Sequence, residues 1–195
     1  MVGTPNTPAD IAPHGSQTYV IAVMATNNFN NVEMQFGFNC VGVAPAQNIT
    51  GVNTLLLSAF EGLLRPDIVA LAASDGGIVN VSGPLLAGSF AVATINLGGD
   101  GTITASADTG GVSLPVELSI CETDPVTSIC KDRPADTVRR GINPGQTPTY
   151  GIFVKGTGGA VPFDPAVNRI FVRFKQIGTT SSVTRGSTSV AVRTR

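Results

Sequence analysis

One passage of this chain occurs twice. Ile11-Ala-Pro-His-Gly-Ser-Gln-Thr-Tyr-Val-Ile-Ala-Val23 is echoed by Ile142-Asn-Pro-Gly-Gln-Thr-Pro-Thr-Tyr-Gly-Ile-Phe-Val154, so that Ile, Pro, Thr, Tyr, Ile and Val recur at an offset of 131 residues. The match runs on downstream: Val32, Met34 and Phe36 answer Ile170, Val172 and Phe174, and Gly51-Val-Asn-Thr-Leu-Leu-Leu57 answers Gly186-Ser-Thr-Ser-Val-Ala-Val192. An internal repeat limits the fold more than any single motif, because two copies of a pattern call for two copies of a structural unit. The copies are unequal. The second has 75 residues ahead of Ile142, counted from Asp67, whereas the first has ten ahead of Ile11. The expectation is therefore a partial unit, residues 1–64, supplying the last three strands of a domain, followed by a complete unit, residues 65–195. On this reading the chain is the tail of a longer repeat protein.

Composition points to an all-β fold. Hydrophobic residues make up 42% of the 195 and charged residues 13%, and 23 glycines and 13 prolines punctuate short Val, Ile, Thr and Phe runs. That balance supplies a core and many turns, and argues against disorder. Alternation of apolar and polar residues predicts strands at Thr18–Ala25, Val32–Phe38, Asp67–Ala72, Phe90–Leu97, Thr102–Ala107, Val112–Ile120, Thr149–Lys155, Ile170–Lys175 and Thr188–Arg193. Turns are expected at 98–101 and 109–111, and Leu55–Leu64 reads as a strand running into a linker at Arg65-Pro66. About seven strands after Pro66 fit an immunoglobulin-like antiparallel β-sandwich; a closed barrel is the alternative. No stretch reaches 18 apolar residues, so no membrane span is expected. The opening Met1-Val-Gly-Thr-Pro-Asn6 has no leader pattern, as expected of a fragment.

Several segments carry a resemblance. Asn53-Thr-Leu-Leu-Leu-Ser58, Pro66-Asp-Ile-Val-Ala-Leu71, Gly88-Ser-Phe-Ala-Val-Ala-Thr94, Pro162-Phe-Asp-Pro-Ala166 and Thr184-Arg-Gly-Ser-Thr-Ser-Val-Ala-Val-Arg-Thr194 resemble the C-terminal Ig-like repeats of bacterial secreted or surface proteins of uncharacterised function. The resemblance covers nearly the whole chain. It implies an exported sandwich, extracellular or on the cell surface, and it brings no catalytic residue with it.

Cys121 and Cys130 flank a segment with Asp-Pro at its centre, which can turn a hairpin and bring the sulfurs opposite each other. A disulfide there would fit an oxidising compartment; the alternative is two unpaired buried thiols. Cys40 is left over, either short of a partner or serving as a small apolar residue at a strand end. Three cysteines and one histidine do not supply a paired zinc set, and no calcium-loop or cofactor motif occurs. No metal or cofactor is therefore assigned.

Charge is unevenly placed: residues 1–64 carry −3, 65–130 carry −6, and 131–195 carry +8. If Ile170, Val172 and Phe174 face the core, then Arg169, Phe171, Arg173 and Lys175 share the outer face. With Arg185, and with Arg193 and Arg195 as extensions, they form a candidate binding stripe for an acidic polysaccharide or similar polyanion, with nucleic acid a less favoured ligand. The competing reading gives these cations structural partners on neighbouring strands. His14 lies in a turn where the second copy has Gly145, which speaks against a triad histidine. Glu117, Glu122, Asp124 and Asp75 could form a carboxylate pair, though any acidic β protein offers as many. Both tyrosines belong to the repeated motif and are expected in a core or corner role. The favoured function is a non-catalytic extracellular structural, adhesion or binding module. Its partners would be other repeats of the same protein or a second copy meeting the open edge of residues 1–60. The alternative is a small esterase or glycosidase.

Overall fold

The computed structural model describes residues 7–13, 15–61, 64–82, 86–178 and 181–195. Eleven strands and one short 3-10 turn, Asp75–Gly77, make up the regular structure among these residues. Phe29–Gln35 (β1) and Thr54–Ala59 (β2) form an antiparallel pair. Asn31, at φ 52°, sits in a bulge of β1 and donates its backbone N–H to Ser58 Oγ at 3.0 Å. Ile68–Ala73 (β3), Ala87–Asn96 (β5), Val116–Thr123 (β7) and Thr149–Gly156 (β9) form a four-stranded sheet in the order β3-β5-β9-β7. Ile78–Val81 (β4), Gly101–Asp108 (β6), Thr137–Ile142 (β8), Arg169–Ile177 (β10) and Ser182–Thr194 (β11) form a five-stranded sheet in the order β4-β11-β10-β6-β8.

The two larger sheets share one core. Val92 of β5, Ile120 of β7 and Ile152 of β9 cluster with Ile103 of β6, Val172 and Phe174 of β10 and Val192 of β11, each at most 1% exposed. The alternation expected in β10 is present: Ile170, Val172 and Phe174 are buried on the core side. Tyr150 joins them at 1% exposure, its ring centroid 5.4 Å from that of Phe174. Asn96 is fully buried and satisfied locally. Its Oδ1 accepts from the Asp67 and Gly98 N–H groups and its Nδ2 donates to Gly99 O, which fixes the start of β3 to the 97–100 turn.

Three features differ from the expectations. β4 runs parallel to β11, pairing Ile78 with Ala191 and Thr194 with Val81, so the five-stranded sheet is mixed rather than antiparallel. Nine strands follow Pro66 among the described residues, because β4 and β8 add to the seven expected. Thr18–Ala25 forms no strand. Its counterpart in sequence, β9, is hydrogen-bonded on both sides, by β5 and β7. Without such neighbours, a single extended segment has nothing to pair with.

The chain also changes layer between β7 and β8. Ala135 bridges to Ile120 of β7, and the chain then crosses to pair β8 with β6 in the other sheet. Glu122 of β7 and Arg140 of β8 form an ion pair across that junction, and Lys131 Nζ adds a second cation at 2.7 Å from Glu122. Cys121 and Cys130 are joined by a disulfide with Cα atoms 5.6 Å apart, as the sequence led us to expect. Inside the closed segment, Asp124 accepts from the Val126 and Thr127 N–H groups. Those bonds, led by Thr127, hold its carboxyl below the usual aspartate value. For a closed segment of this size, chain entropy assigns the crosslink about 2.5 kcal/mol. Urea unfolding of the intact chain with and without reductant should differ by about that amount. Coincident curves would show that the turn holds without the bond.

Burial of Tyr150 sets a second expectation. Desolvation pushes its hydroxyl from the ordinary value of 10.0 up to about 12, with Arg140 opposing and Glu122 assisting. The folded chain thus keeps the proton more tightly than the unfolded chain, so stability is full below pH 10 and falls as pH rises through 12. At about 1.4 kcal/mol per unit, the total loss approaches about 2.7 kcal/mol. Tyr150→Phe should flatten this decline in alkaline urea titrations; an unchanged slope would assign it to another group.

Candidate functional site

Arg169, Phe171, Arg173 and Lys175 alternate along β10 with the core residues Ile170, Val172 and Phe174, and several of them have partners within the chain. Arg173 donates Nε to Asp108 Oδ2 at 2.7 Å and Nη2 to Oδ1 at 3.3 Å, while its guanidinium lies 4.9 Å from the Phe171 ring centroid. Arg169 donates to Ser189 Oγ, Ser189 O and Pro165 O, and burial pushes its guanidinium below the usual arginine value. Phe171 is 8% exposed, because Gly51 of the 49–51 turn approaches the ring from one side and Gly110 from another. Lys175 lies across from Thr104 on β6 and Thr184 on β11, with no ion pair among the described residues. Arg193 donates to Asn80 Oδ1 and stands over Phe163. The first strand pair therefore leans on the stripe through Gly51, and most of the stripe's cations carry bonds within the chain.

Arg185 is placed differently. Between Phe174↔Gly186 and Lys175↔Thr184 the register slips by one residue, and Arg185 is the extra residue of that bulge. A bulge turns a side chain out of the strict alternation of a strand. Arg185 is 7% exposed, donates Nε to Gln176 Oε1 at 2.9 Å, and stands 5.6 Å from the Phe60 ring centroid. Arg65 stands over the same ring at 4.8 Å. Burial first, and Arg65 second, push the Arg185 guanidinium below the usual arginine value, with Asp67 opposing. Neither Arg65 nor Arg185 has a carboxylate within ion-pair distance among the described residues.

These residues line a cleft of about 700 Å³ between the β1–β2 pair and the β3 and β11 strands. Leu56, Phe60, Pro66, Ile68 and Leu97 give it apolar walls; Arg65, Arg185, Asp67, Arg169 and Glu33 carry its charges. Glu33 Oε2 is buried without a hydrogen-bond partner among the described residues. The sequence reading named Arg185 but missed Arg65, Phe60 and Glu33. A bulge has no sequence signature of its own, and nothing in a linear pattern sets β2 against β11.

Three of the four carboxylates considered for hydrolysis are tied into the structure. Glu117 pairs with Lys155 at 3.0 Å, Glu122 with Lys131 and Arg140, and Asp124 caps its turn. His14 lies outside the described residues. Cys40 is an exposed free thiol. Among the described residues no group of three or more His, Cys, Asp or Glu is placed to hold a metal, and no helix is long and apolar enough to cross a membrane. In comparisons with known proteins, the chain matches no protein-family model and no curated protein.

Proposed function

We propose that the chain is a non-catalytic module of an extracellular or surface protein built from Ig-like repeats, with residues 65–195 as one whole unit and 1–64 as the closing part of another. The observation that carries this reading is the recurrence of a local arrangement. In the second unit Tyr150 sits against Phe174, and β10 pairs antiparallel with β11. In the first, β1, matching β10 in sequence, likewise pairs antiparallel with β2, while the ring contact of Tyr19, at 6.3 Å between centroids, is with Phe38, two residues beyond Phe36, the counterpart of Phe174. The register of β1 on β2 differs by two residues from that of their counterparts, a shift that keeps each side chain on its own face.

Two further observations support the reading. The disulfide fits an oxidising compartment. The outer face of the four-stranded sheet exposes Val69 at 50%, Leu71 at 71% and Phe153 at 38%, beside the exposed alanines 91 and 93. An apolar face of that kind is what one repeat presents to the next. A panel of chromogenic esters and glycosides offered to the intact chain should give no saturable turnover. Turnover that disappears in Glu117→Gln, Glu122→Gln or Asp75→Asn would overturn the module reading in favour of a hydrolase.

A further inference from the structure

We propose that the cleft between the β1–β2 pair and strands β3 and β11 binds an amphiphilic oxyanion, its charged head on Arg65 and Arg185 and its apolar body along Ile68 and Leu97. This inference stands apart from the module reading.

Arg185 is a cation more than nine-tenths buried, and no carboxylate pairs with it. A buried charge in that state is costly unless a counter-charge and hydrogen bonds compensate it. Only Nε of its five N–H donors is used within the described residues, on Gln176. The Phe60 ring compensates in part, since a cation over an aromatic face gains about 0.5–2 kcal/mol. That ring, however, holds a second guanidinium as well, so two like charges share one apolar support. An oxyanion meets both needs. It accepts two parallel N–H bonds from a guanidinium fork, and it relieves the repulsion between Arg65 and Arg185.

The remaining walls choose the rest of the ligand. Beyond the arginines the cleft runs along leucines, Pro66 and Ile68, and its volume of about 700 Å³ falls within the range, about 300–1,000 Å³, of small-molecule sites. A small inorganic anion would leave those walls wet. A charged head with an apolar body covers both. Asp67 stands at the same end, and its charge acts on Arg185 without forming an ion pair with either arginine among the described residues. Glu33 belongs to the other end. It pairs in register with Leu56, four residues before Phe60 on β2, or about 13 Å at the usual rise per residue. The head therefore sits at the arginine end and the body follows Ile68 and Leu97, short of Leu56 and Glu33.

The test uses the intact chain, labelled so that arginine Nε–Hε resonances can be followed by NMR. It is titrated with decanoate, decyl sulfate or decyltrimethylammonium below their micelle-forming concentrations. At least one of the two anions should move the Arg65 and Arg185 resonances saturably, and the cation should not. Arg65→Gln, a change at an exposed residue, should weaken anion binding about tenfold, the loss expected when a charged hydrogen-bond partner is removed. Arg185→Lys, which keeps the charge but not the fork, should weaken it as well. Anionic and cationic amphiphiles binding alike would overturn the proposal, as would anion affinity left unchanged by both substitutions, or no response to either anion.

Discussion

Replacing Phe174 with alanine should cost about 3–5 kcal/mol, whereas Phe38→Ala should cost no more than about 1 kcal/mol. The two rings make similar contacts, each tilted against a tyrosine, with centroids 5.4 Å apart in one pair and 6.3 Å in the other. They differ in surroundings. Phe174 is 1% exposed and enclosed by both sheets, while Phe38 is 47% exposed. A tyrosine–phenylalanine contact alone contributes only about 0.5–1.5 kcal/mol. Most of the Phe174 effect must therefore come from the lost apolar burial and from the cavity left behind. Urea midpoints for the two variants would show the difference directly. Equal losses would mean that the aromatic contact, rather than the enclosure, dominates.

Gly186→Ala should be nearly as damaging, at about 3 kcal/mol or more. A Cβ on Gly186 would lie 1.9 Å from the carbonyl oxygen of Ile68, 2.8 Å from its carbonyl carbon and 2.9 Å from its Cβ. The obstacle is mainly the backbone of β3, so no rotamer change can relieve it, and β3 and β11 must separate. Gly141→Ala is the matched control. A Cβ there meets nothing within 4 Å, and Gly141 is not among the positive-φ glycines, so the loss of unfolded-state freedom should leave stability unchanged or raise it by up to about 1 kcal/mol. Thermal or urea unfolding of both variants checks the contrast. A mild Gly186→Ala would show that the edges of the two sheets can part at little cost. The same separation would open the cleft, since Gly186 and Ile68 both line it.

The sequence showed its strands where one face is dry and the other wet. β5 is the clearest case, with Phe90, Val92 and Thr94 buried in alternation with the exposed Ala91 and Ala93. The turns at Gly98–Gly101 and Gly110–Gly111 were legible for the same reason, through glycines that no strand interior favours. Two strands escaped. β4 is only four residues long, Ile78-Val-Asn-Val81, too short to display a period. β8 carries Arg139 and Arg140, and its inward arginine is compensated by Glu122, a partner 18 residues earlier in the chain. The site was harder to see than the fold. Arg185 was named as one cation of an outward stripe, but its position depends on a one-residue slip between β10 and β11. Phe171 was expected on the same face, and what covers it is a turn 120 residues away in sequence, at Gly51. Contacts of that span follow from which segments meet, which local patterns do not encode.

The parallel pairing of β4 with β11 has a mechanical meaning. Once β3 has parted from β5, a pull along the chain reaches β4 from its N-terminal side and β11 from its C-terminal side. The two strands then slide against each other along their common axis. All the paired positions from Ile78↔Ala191 to Val81↔Thr194 carry load together, and the Arg195 N–H bond to Val81 O and the Arg193 side-chain bond to Asn80 lie beside them. An antiparallel neighbour at the same place would open from one end, one bond after another. The last strand of the chain is thus set against the second strand after Pro66 like a bolt loaded in shear.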